Sequence, residues 1–153
     1  MAESFRSRLV RWGFNWFPAF RRTGGRLVYL AADWREVRVQ LPLGWKTRNY
    51  VGTMFGGCLY AATDGQYMVM LMKLLGPDYV VWDKGASIRF KKVCRTTVYA
   101  TFAIDERETD AIRTLLAAEP KIDRQYRVDW TDREGTVYAT VETTIHIRRK
   151  ESA

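Results

Sequence analysis

The alternation of apolar and polar positions predicts a chain built largely from strands. In WREVRVQLPL, Val37, Val39 and Leu41 fall on one face, while charged or polar residues fall on the other. That pattern is typical of a strand in a sheet with one wet face. The turn residues DREG between two later alternating segments indicate a hairpin. Strands are predicted over residues 26–33, 34–43, 79–93, 95–108, 122–132 and 136–149.

Residues 56–75, GGCLYAATDGQYMVMLMKLL, predict one long central helix. Its apolar residues run almost all round the helix, so we expect it to be buried on most sides. Gly76 at the cap position and Pro77 after it should end the helix. A flat sheet would cover only one side of such a helix. The order of elements therefore predicts an α+β fold in which a curved antiparallel sheet wraps around the helix.

Two further helices are predicted. One covers residues 4–20 as an amphipathic helix or a helix-turn that Pro18 limits, and its many aromatic residues indicate that it packs against something. The other covers residues 109–120, with Thr109 or Asp110 as its cap. A length of 153 residues fits one domain, so residues 1–153 are predicted to form a single domain with residues 1–20 as its N-terminal helical segment.

Composition and charge limit the classes of function. The formal net charge of +8 favours solubility or a polyanionic partner, which could be nucleic acid, a membrane surface or a phosphorylated small molecule. The cations are scattered and no nucleic-acid motif is present, so we expect no specific nucleic-acid binding. Two cysteines are too few for a disulfide scaffold, which favours a cytoplasmic location. We expect no transmembrane segment, no secretory signal and no metal site.

The stretch NYVGTMFGGCLYAATD, residues 49–64, carries the candidate chemistry. Gly56 and Gly57 begin the predicted helix, where free N–H groups and the helix dipole could stabilise an oxyanion. The alternative is that the glycines only permit a tight loop. Asp64 has small or polar neighbours that leave space for a cleft, so it is a candidate general base or nucleophile. The alternative for Asp64 is a structural, hydrogen-bonded carboxylate.

The spacing of these groups predicts an assembly. Asp64 lies seven residues after Gly57, about 10 Å along a helix. One carbonyl carbon can hardly contact both groups of the same chain. Antiparallel pairing of two such helices would bring Gly57 of one chain close to Asp64 of another. The motif therefore predicts a homodimer, or a dimer of dimers.

The same residues resemble a known family. Their order matches the Asn, Gly-Thr, His-Gly-Gly and Asp or Glu of the phenylacetate-type hotdog-fold acyl-CoA thioesterases. The segments NWFP, NYVGTMFGG and VVWDK are also similar to the DUF4442 branch of that fold. The resemblance implies a hotdog fold and hydrolysis of acyl-CoA, with coenzyme A as part of the substrate and no separate cofactor. The matching positions are Asn49, Gly52, Thr53, Gly56, Gly57 and Asp64.

One departure leaves a second function open. Phe55 stands where the thioesterases carry His, so the polar role of that imidazole is lost. The alternative to a thioesterase is therefore a non-catalytic protein that binds acyl-CoA or another acyl ligand. Phe55 and Gly56 would contact the substrate in either case.

Six further residues complete the candidate site. Asn49 could hold water or a carboxylate through its amide, or could only form a turn. Asp83 falls where related thioesterases often carry Ser or Thr, and a strand-end ion pair is its alternative. Lys84 shares the alternation of Trp82 and Ile88, so it should pair with an acid or reach a cleft. Arg89, Lys91 and Lys92 could bind the phosphates of coenzyme A or could simply be solvated.

Overall fold

The computed structural model describes residues 2–150 and shows one six-stranded antiparallel sheet with helices against it. The strands lie in the order β1-β2-β4-β5-β6-β3, so β1 and β3 form the two edges. This confirms the predicted α+β layout of a curved antiparallel sheet around a helical core. In chain order the elements are α1 Phe5–Trp16, α2 Pro18–Arg22, β1 Arg26–Leu30, β2 Glu36–Leu41, α3 Gly56–Thr63, α4 Gln66–Leu75, β3 Tyr79–Phe90, β4 Val98–Ala103, α5 Glu106–Ala118, β5 Lys121–Thr131 and β6 Val137–Arg149.

The core lies between the sheet and the helices α3 and α4. Alternate residues of β2, β4 and β6 point into it, as the alternation predicts. Large side chains that are almost fully buried include Phe102, Trp130 and Ile145. Burial of this apolar surface is the main term that stabilises the fold. The hairpin between β5 and β6 turns at Asp132, whose Oδ1 accepts from the N–H groups of Glu134 and Thr136.

The central helix differs from the prediction because it is broken. α3 ends at Thr63, Asp64 has an extended backbone, and Gly65 adopts the left-handed conformation with φ 75° before α4 begins. Glycine takes this conformation readily because it has no Cβ, and it often follows a helix end. The expected end at Gly76 is confirmed. Asp64 is therefore exposed at a break rather than enclosed in a continuous helix.

The last helix begins earlier than predicted. Asp105, and not Thr109 or Asp110, caps α5, and its side chain accepts from the Glu108 N–H at 2.8 Å. An aspartate directly before the first turn of a helix is a favourable cap because its side chain satisfies a free helical N–H. Thr109 instead lies buried inside α5.

The N-terminal helix α1 packs along the edge strand β1. The side-chain amide of Asn15 donates to the Leu27 carbonyl at 3.0 Å and accepts from the Leu27 N–H at 2.8 Å. Val10 and Phe14 pack against the core from the same helix. The prediction that this segment packs against the rest of the protein is confirmed for the face that carries Val10 and Phe14. It is wrong for Trp12 and Trp16, which are exposed. No helix among residues 2–150 is long and apolar enough to cross a membrane.

Candidate functional site

The break in the central helix holds Asp64 at the surface of a cavity. Just before it, the Thr63 hydroxyl donates to the Leu59 carbonyl at 2.9 Å and accepts from the Trp130 indole N–H at 3.0 Å. Both Thr63 and Trp130 are buried, so they fix the end of α3 against β5. Within residues 2–150 no hydrogen bond or ion pair engages the Asp64 carboxylate. It is therefore free to bind water or a ligand.

A β-bulge brings Asp83 to the same place. The pairing of β3 with β6 shifts register between Asp83 and Gly85, so Asp83 lies opposite the core residue Ile145. The expected alternation of Asp83 with Ser87 and Arg89 is wrong, because the bulge uses one extra residue and moves Asp83 to the helix-facing side. Within residues 2–150 Asp83 forms no ion pair, although a strand-end ion pair was its alternative role.

The surroundings of Asp83 favour its protonated form. Burial raises the pKa of the Asp83 carboxyl, the nearby charge of Asp64 raises it further, and a hydrogen bond from the Gly65 N–H acts in the opposite direction. A carboxyl with a raised pKa beside an unpaired carboxylate is an arrangement suited to acid–base chemistry. Asp64 and Asp83 thus form one unit, which we call the acid pair.

The acid pair lines a cavity of about 200 Å³ between α3 and the strands β3 and β6. This acid cavity has both polar and apolar walls, and it could admit one water molecule together with a small reacting group. Neither Tyr60 nor Thr63 stood out from the sequence, because only the helix break and the bulge give them a common cavity. The wall of the acid cavity is formed by Tyr60, Thr63, Asp64, Asp83, Lys84, Gly85, Ala86, Val141 and Thr143.

The two glycines at the start of α3 present free N–H groups, as predicted. Among the described residues, neither the Gly56 nor the Gly57 N–H has a hydrogen-bond acceptor, while the Cys58 N–H donates to the Phe55 carbonyl at 3.0 Å. The rings of two phenylalanines occupy the space that a side chain at either glycine would need. A Cβ at Gly57 would lie 2.5 Å from the Phe55 ring, and one at Gly56 would lie 2.6 Å from the Phe90 ring.

A second cavity, of about 600 Å³, opens beside these glycines. We call it the glycine cavity. Its walls are mainly apolar, and Lys91 and Lys92 lie at its rim just after β3 ends. Phe90 was not a candidate in the sequence because its role depends on which strand passes the helix start. The walls are Asn49, Thr53, Met54, Phe55, Gly56, Leu59, Phe90, Lys91, Lys92, Val93 and Cys94.

Asn49 stabilises the loop that precedes the glycines through its hydrogen bonds. Its Oδ1 accepts from the N–H groups of Val51 and Thr53, and its amide donates to the Thr53 hydroxyl at 2.8 Å. The Asn49 N–H also donates to the Thr53 carbonyl at 2.7 Å. These bonds hold the loop in place, so the structure places Asn49 at the glycine cavity with its polar atoms already engaged.

The structure separates the predicted cations. Lys84 lies in the bulge and not on the regular strand face that its alternation with Ile88 predicts. It does pair with an acid, as expected, because its ammonium forms an ion pair with Asp123 at 2.5 Å. Arg89 lines another pocket with Arg127 and Glu142, and Lys91 borders both that pocket and the glycine cavity. Only Lys91 and Lys92 of the predicted set reach the glycine cavity. No cluster of potential metal ligands occurs within residues 2–150.

Comparisons with known proteins agree with this fold. The family model described as Domain of unknown function (DUF4442) matches residues 6–147. No curated protein matches the chain by sequence. A solved structure from Pseudomonas aeruginosa, described as a protein of unknown function and probable thioesterase, is 19% identical with a TM-score of 0.82, covering 98% of this chain and 100% of that one.

Another similar structure is a thioesterase from Haemophilus influenzae, with a TM-score of 0.69 and 11% identity over 96% of this chain and 93% of that one. A mutant thioesterase from Pseudomonas aeruginosa is 9% identical with a TM-score of 0.67, covering 93% and 94% of the two chains. At these identities the likeness concerns the fold alone, and it confirms the predicted hotdog fold.

Proposed function

For this chain, which belongs to the DUF4442 family, we propose hydrolysis of acyl thioesters, with acyl-CoA as the substrate. The observation that carries the proposal is the unpaired carboxylate of Asp64, aimed into the acid cavity at the break between two helices. The similar solved structures described as thioesterases support the same reaction class.

The acid pair and the glycines require a second copy of the chain to act on one thioester. On strand β3, the Phe90 ring covers Gly56 at the start of α3, and Asp83 lies near Asp64, directly after the end of α3. The glycines and the acid pair therefore lie at opposite ends of the same helix. Seven residues of extended strand separate Asp83 from Phe90, which is roughly 20 Å. A single thioester carbonyl cannot contact both ends within one chain.

The edge strand β3 supplies the way to pair two copies. Among the described strands it pairs only with β6, and most of its residues from Lys84 to Phe90 are exposed. An exposed edge of this length is a template for pairing with another strand. Antiparallel pairing of two β3 strands about their middle would place the acid cavity of one chain beside the glycine cavity of the other. We therefore propose a homodimer, which could assemble further into a dimer of dimers.

The reaction then has a role for each group. Asp64 removes a proton from water, and the water oxygen attacks the thioester carbonyl carbon. The Gly57 N–H of the second chain donates to the oxyanion that forms on the carbonyl oxygen. The carbon–sulfur bond breaks, and the proton held by Asp64 passes to the leaving thiolate. Direct attack by the Asp64 carboxylate, followed by hydrolysis of the anhydride, uses the same geometry.

The other groups position the substrate. The apolar walls of the glycine cavity would accept the acyl group or the pantetheine arm, and Lys91 and Lys92 at its rim would contact phosphates of coenzyme A. Asp83, which retains a proton to higher pH than an ordinary aspartate, would hydrogen-bond the attacking water or Asp64. Asn49 would contribute indirectly, because its hydrogen bonds fix the loop that precedes the glycines.

The proposal is tested with a panel of acyl-CoA thioesters of increasing chain length, with release of free thiol as the readout. We expect saturable turnover for at least one chain length. The second candidate function, acyl-ligand binding without cleavage, is favoured by Phe55 in place of His. Saturable binding of acyl-CoA by calorimetry with no thiol released would assign that function instead.

A further inference from the structure

The N-terminal helix α1 carries apolar side chains on two faces; within residues 2–150 one face packs on the sheet and the other is largely exposed. Ser7, Val10 and Phe14 face the edge strand β1 and the core. The opposite face carries Phe5, Leu9, Trp12 and Trp16, which follow one another at intervals of four, three and four residues. Side chains at these intervals form one continuous stripe along a helix. We call this stripe the aromatic face.

The aromatic face is well exposed. Phe5 is 77% exposed, Trp12 64% and Trp16 55%, and the rings of Trp12 and Trp16 contact each other with centroids 5.8 Å apart. Phe17 continues the surface at the junction with α2 and is 58% exposed. Isolated exposed apolar residues are ordinary, but a contiguous patch of large ones marks a binding surface.

The patch is bordered by positive charge. Residues 2–26 contain six arginines and one acidic residue, Glu3, which is engaged by Arg11 at 2.7 Å and by Arg8 at 3.6 Å. The guanidinium of Arg21 lies 4.7 Å above the Trp16 ring, so α2 contributes a cation directly to the aromatic face. Arg6 and Arg22 are exposed nearby in the chain. The surface is therefore complementary to a partner that is both anionic and apolar.

The proposed dimer does not cover this face. α1 packs on β1, whereas the pairing of two copies uses β3, and these strands are the opposite edges of the sheet. Both aromatic faces would thus remain exposed in the dimer. The face also contains none of the residues that line the acid cavity or the glycine cavity.

We propose that α1 and α2 dock the protein on an anionic lipid surface. Tryptophan and phenylalanine settle at the boundary between headgroups and acyl chains, and arginines beside them bind the anionic headgroups. A second copy of the same face would place two arginine-rich borders against each other, so charge opposes that alternative. With 12 residues, α1 would lie in the plane of the membrane surface.

Sedimentation with lipid vesicles tests the docking. The full-length protein is mixed with vesicles of phosphatidylcholine, with and without phosphatidylglycerol, at low and at physiological salt. We expect binding to the vesicles that contain phosphatidylglycerol and weaker binding as salt rises. The double variant Leu9→Ser/Trp12→Ser should lose at least about tenfold in partitioning because binding scales with the apolar area that is buried. Its melting temperature and acyl-CoA turnover should match those of the wild type.

Matched control variants distinguish vesicle binding through the aromatic face from nonspecific adsorption. Trp45 is 81% exposed on a loop, and Trp45→Ser should bind vesicles as the wild type does. Arg6→Gln should weaken binding about fivefold at low salt, whereas Arg107→Gln on α5 should leave it unchanged. Equal partitioning of Leu9→Ser/Trp12→Ser and the wild type would overturn the proposal. So would assembly beyond the dimer, without vesicles, that Leu9→Ser/Trp12→Ser abolishes, because the face would then bind a second copy.

Discussion

Asp64 and Asp83 lie in one cavity, and the charge of Asp64 helps to raise the pKa of Asp83. The two carboxyl groups come from a helix break and from a strand bulge, which are both irregular features. Irregular backbone at two adjacent points is common where a fold positions reactive groups. The proposed chemistry rests on this pairing, and each residue of it has a separate test.

The first prediction concerns Asp64. Asp64→Asn keeps the shape of the side chain but cannot accept a proton or form an anhydride, so turnover should fall about 10²- to 10⁴-fold. The melting temperature should change little, because the carboxylate has no partner among the described residues. Asp78→Asn, at another exposed aspartate, is the control and should keep full activity. Retained turnover in Asp64→Asn together with a lowered melting temperature would assign Asp64 a structural role.

A single turnover in ¹⁸O-labelled water separates the two roles of Asp64. A general base delivers the labelled water oxygen to the acyl product and leaves Asp64 unlabelled. A nucleophilic Asp64 whose anhydride is opened by water at the aspartyl carbonyl passes its own unlabelled oxygen to the product and takes up the label in the first turnover.

The second prediction concerns the pH dependence of stability. Burial and the charge of Asp64 raise the pKa of Asp83 above its ordinary value, so its contribution to stability is fully present in acid and is lost as pH rises through the raised pKa. Asp83→Asn should therefore raise the melting temperature at neutral pH while it lowers turnover. The gain should disappear as pH falls below the ordinary pKa of aspartate. A melting series across pH for both proteins measures it.

Asp123 supplies the opposite case. Hydrogen bonds from Lys84 and His146 lower the pKa of Asp123, so Asp123→Asn should reduce the melting temperature at neutral pH, and this loss should shrink in acid. A gain in stability from Asp123→Asn, or a loss from Asp83→Asn at neutral pH, would contradict the described surroundings of these carboxyl groups.

The third prediction concerns the helix break. Gly65 has a φ of 75°, so Gly65→Ala should cost about 1–2 kcal/mol, although no atom of the described residues obstructs the added Cβ. Turnover should fall as well, because relief of the strain would move Asp64. Gly13→Ala is the matched control, since Gly13 lies inside α1 with free space for a Cβ. That variant should gain up to about 1 kcal/mol. Denaturant unfolding measures both.

The fourth prediction concerns Phe55. Its N–H and carbonyl are bonded to Thr47 and Cys58, so a changed side chain should leave the loop in place. Phe55→His restores a hydrogen-bonding group beside Gly57, and turnover should rise about fivefold, the effect of one added hydrogen bond. Phe55→Ala controls for the mere loss of the ring. If Phe55→His gives no gain over the wild type, the site uses chemistry that is independent of the missing imidazole.

Much of the fold follows from local pattern, while the site depends on exceptions to it. Alternation places Val37, Val39 and Leu41 in the core, and the apolar run of the central helix together with Gly76 gives its extent. The sequence signal for the break was Gly65 directly after Asp64, but glycine is also tolerated inside helices. The predicted face of Asp83 was wrong because one bulged residue inverts a strand's alternation.

The candidate cations show the same limit. Strand alternation cannot reveal that Lys84 finds Asp123 on a neighbouring strand, because that contact depends on register. Lys91 and Lys92 reach the glycine cavity because β3 ends beside Gly56, a relation between two distant parts of the chain. Contacts between elements far apart in sequence require the sheet order, which the local pattern does not contain.

The central claim is that Asp64 of one chain acts with Gly57 of another. Gly57→Pro removes the N–H, which has no acceptor among residues 2–150, from the first turn of α3, where proline costs no helical hydrogen bond. The exposed Phe55 ring must turn aside, because a Cβ at this position would lie 2.5 Å from it. Asp64→Asn and Gly57→Pro are each expected to be inactive as homodimers. Co-expression with two different affinity tags allows mixed dimers to be purified and assayed for acyl-CoA hydrolysis. One of the two sites in each mixed dimer is intact, so we predict about half of the wild-type turnover per dimer. Mixed dimers as inactive as their parents, or the absence of any doubly tagged species, would contradict the claim.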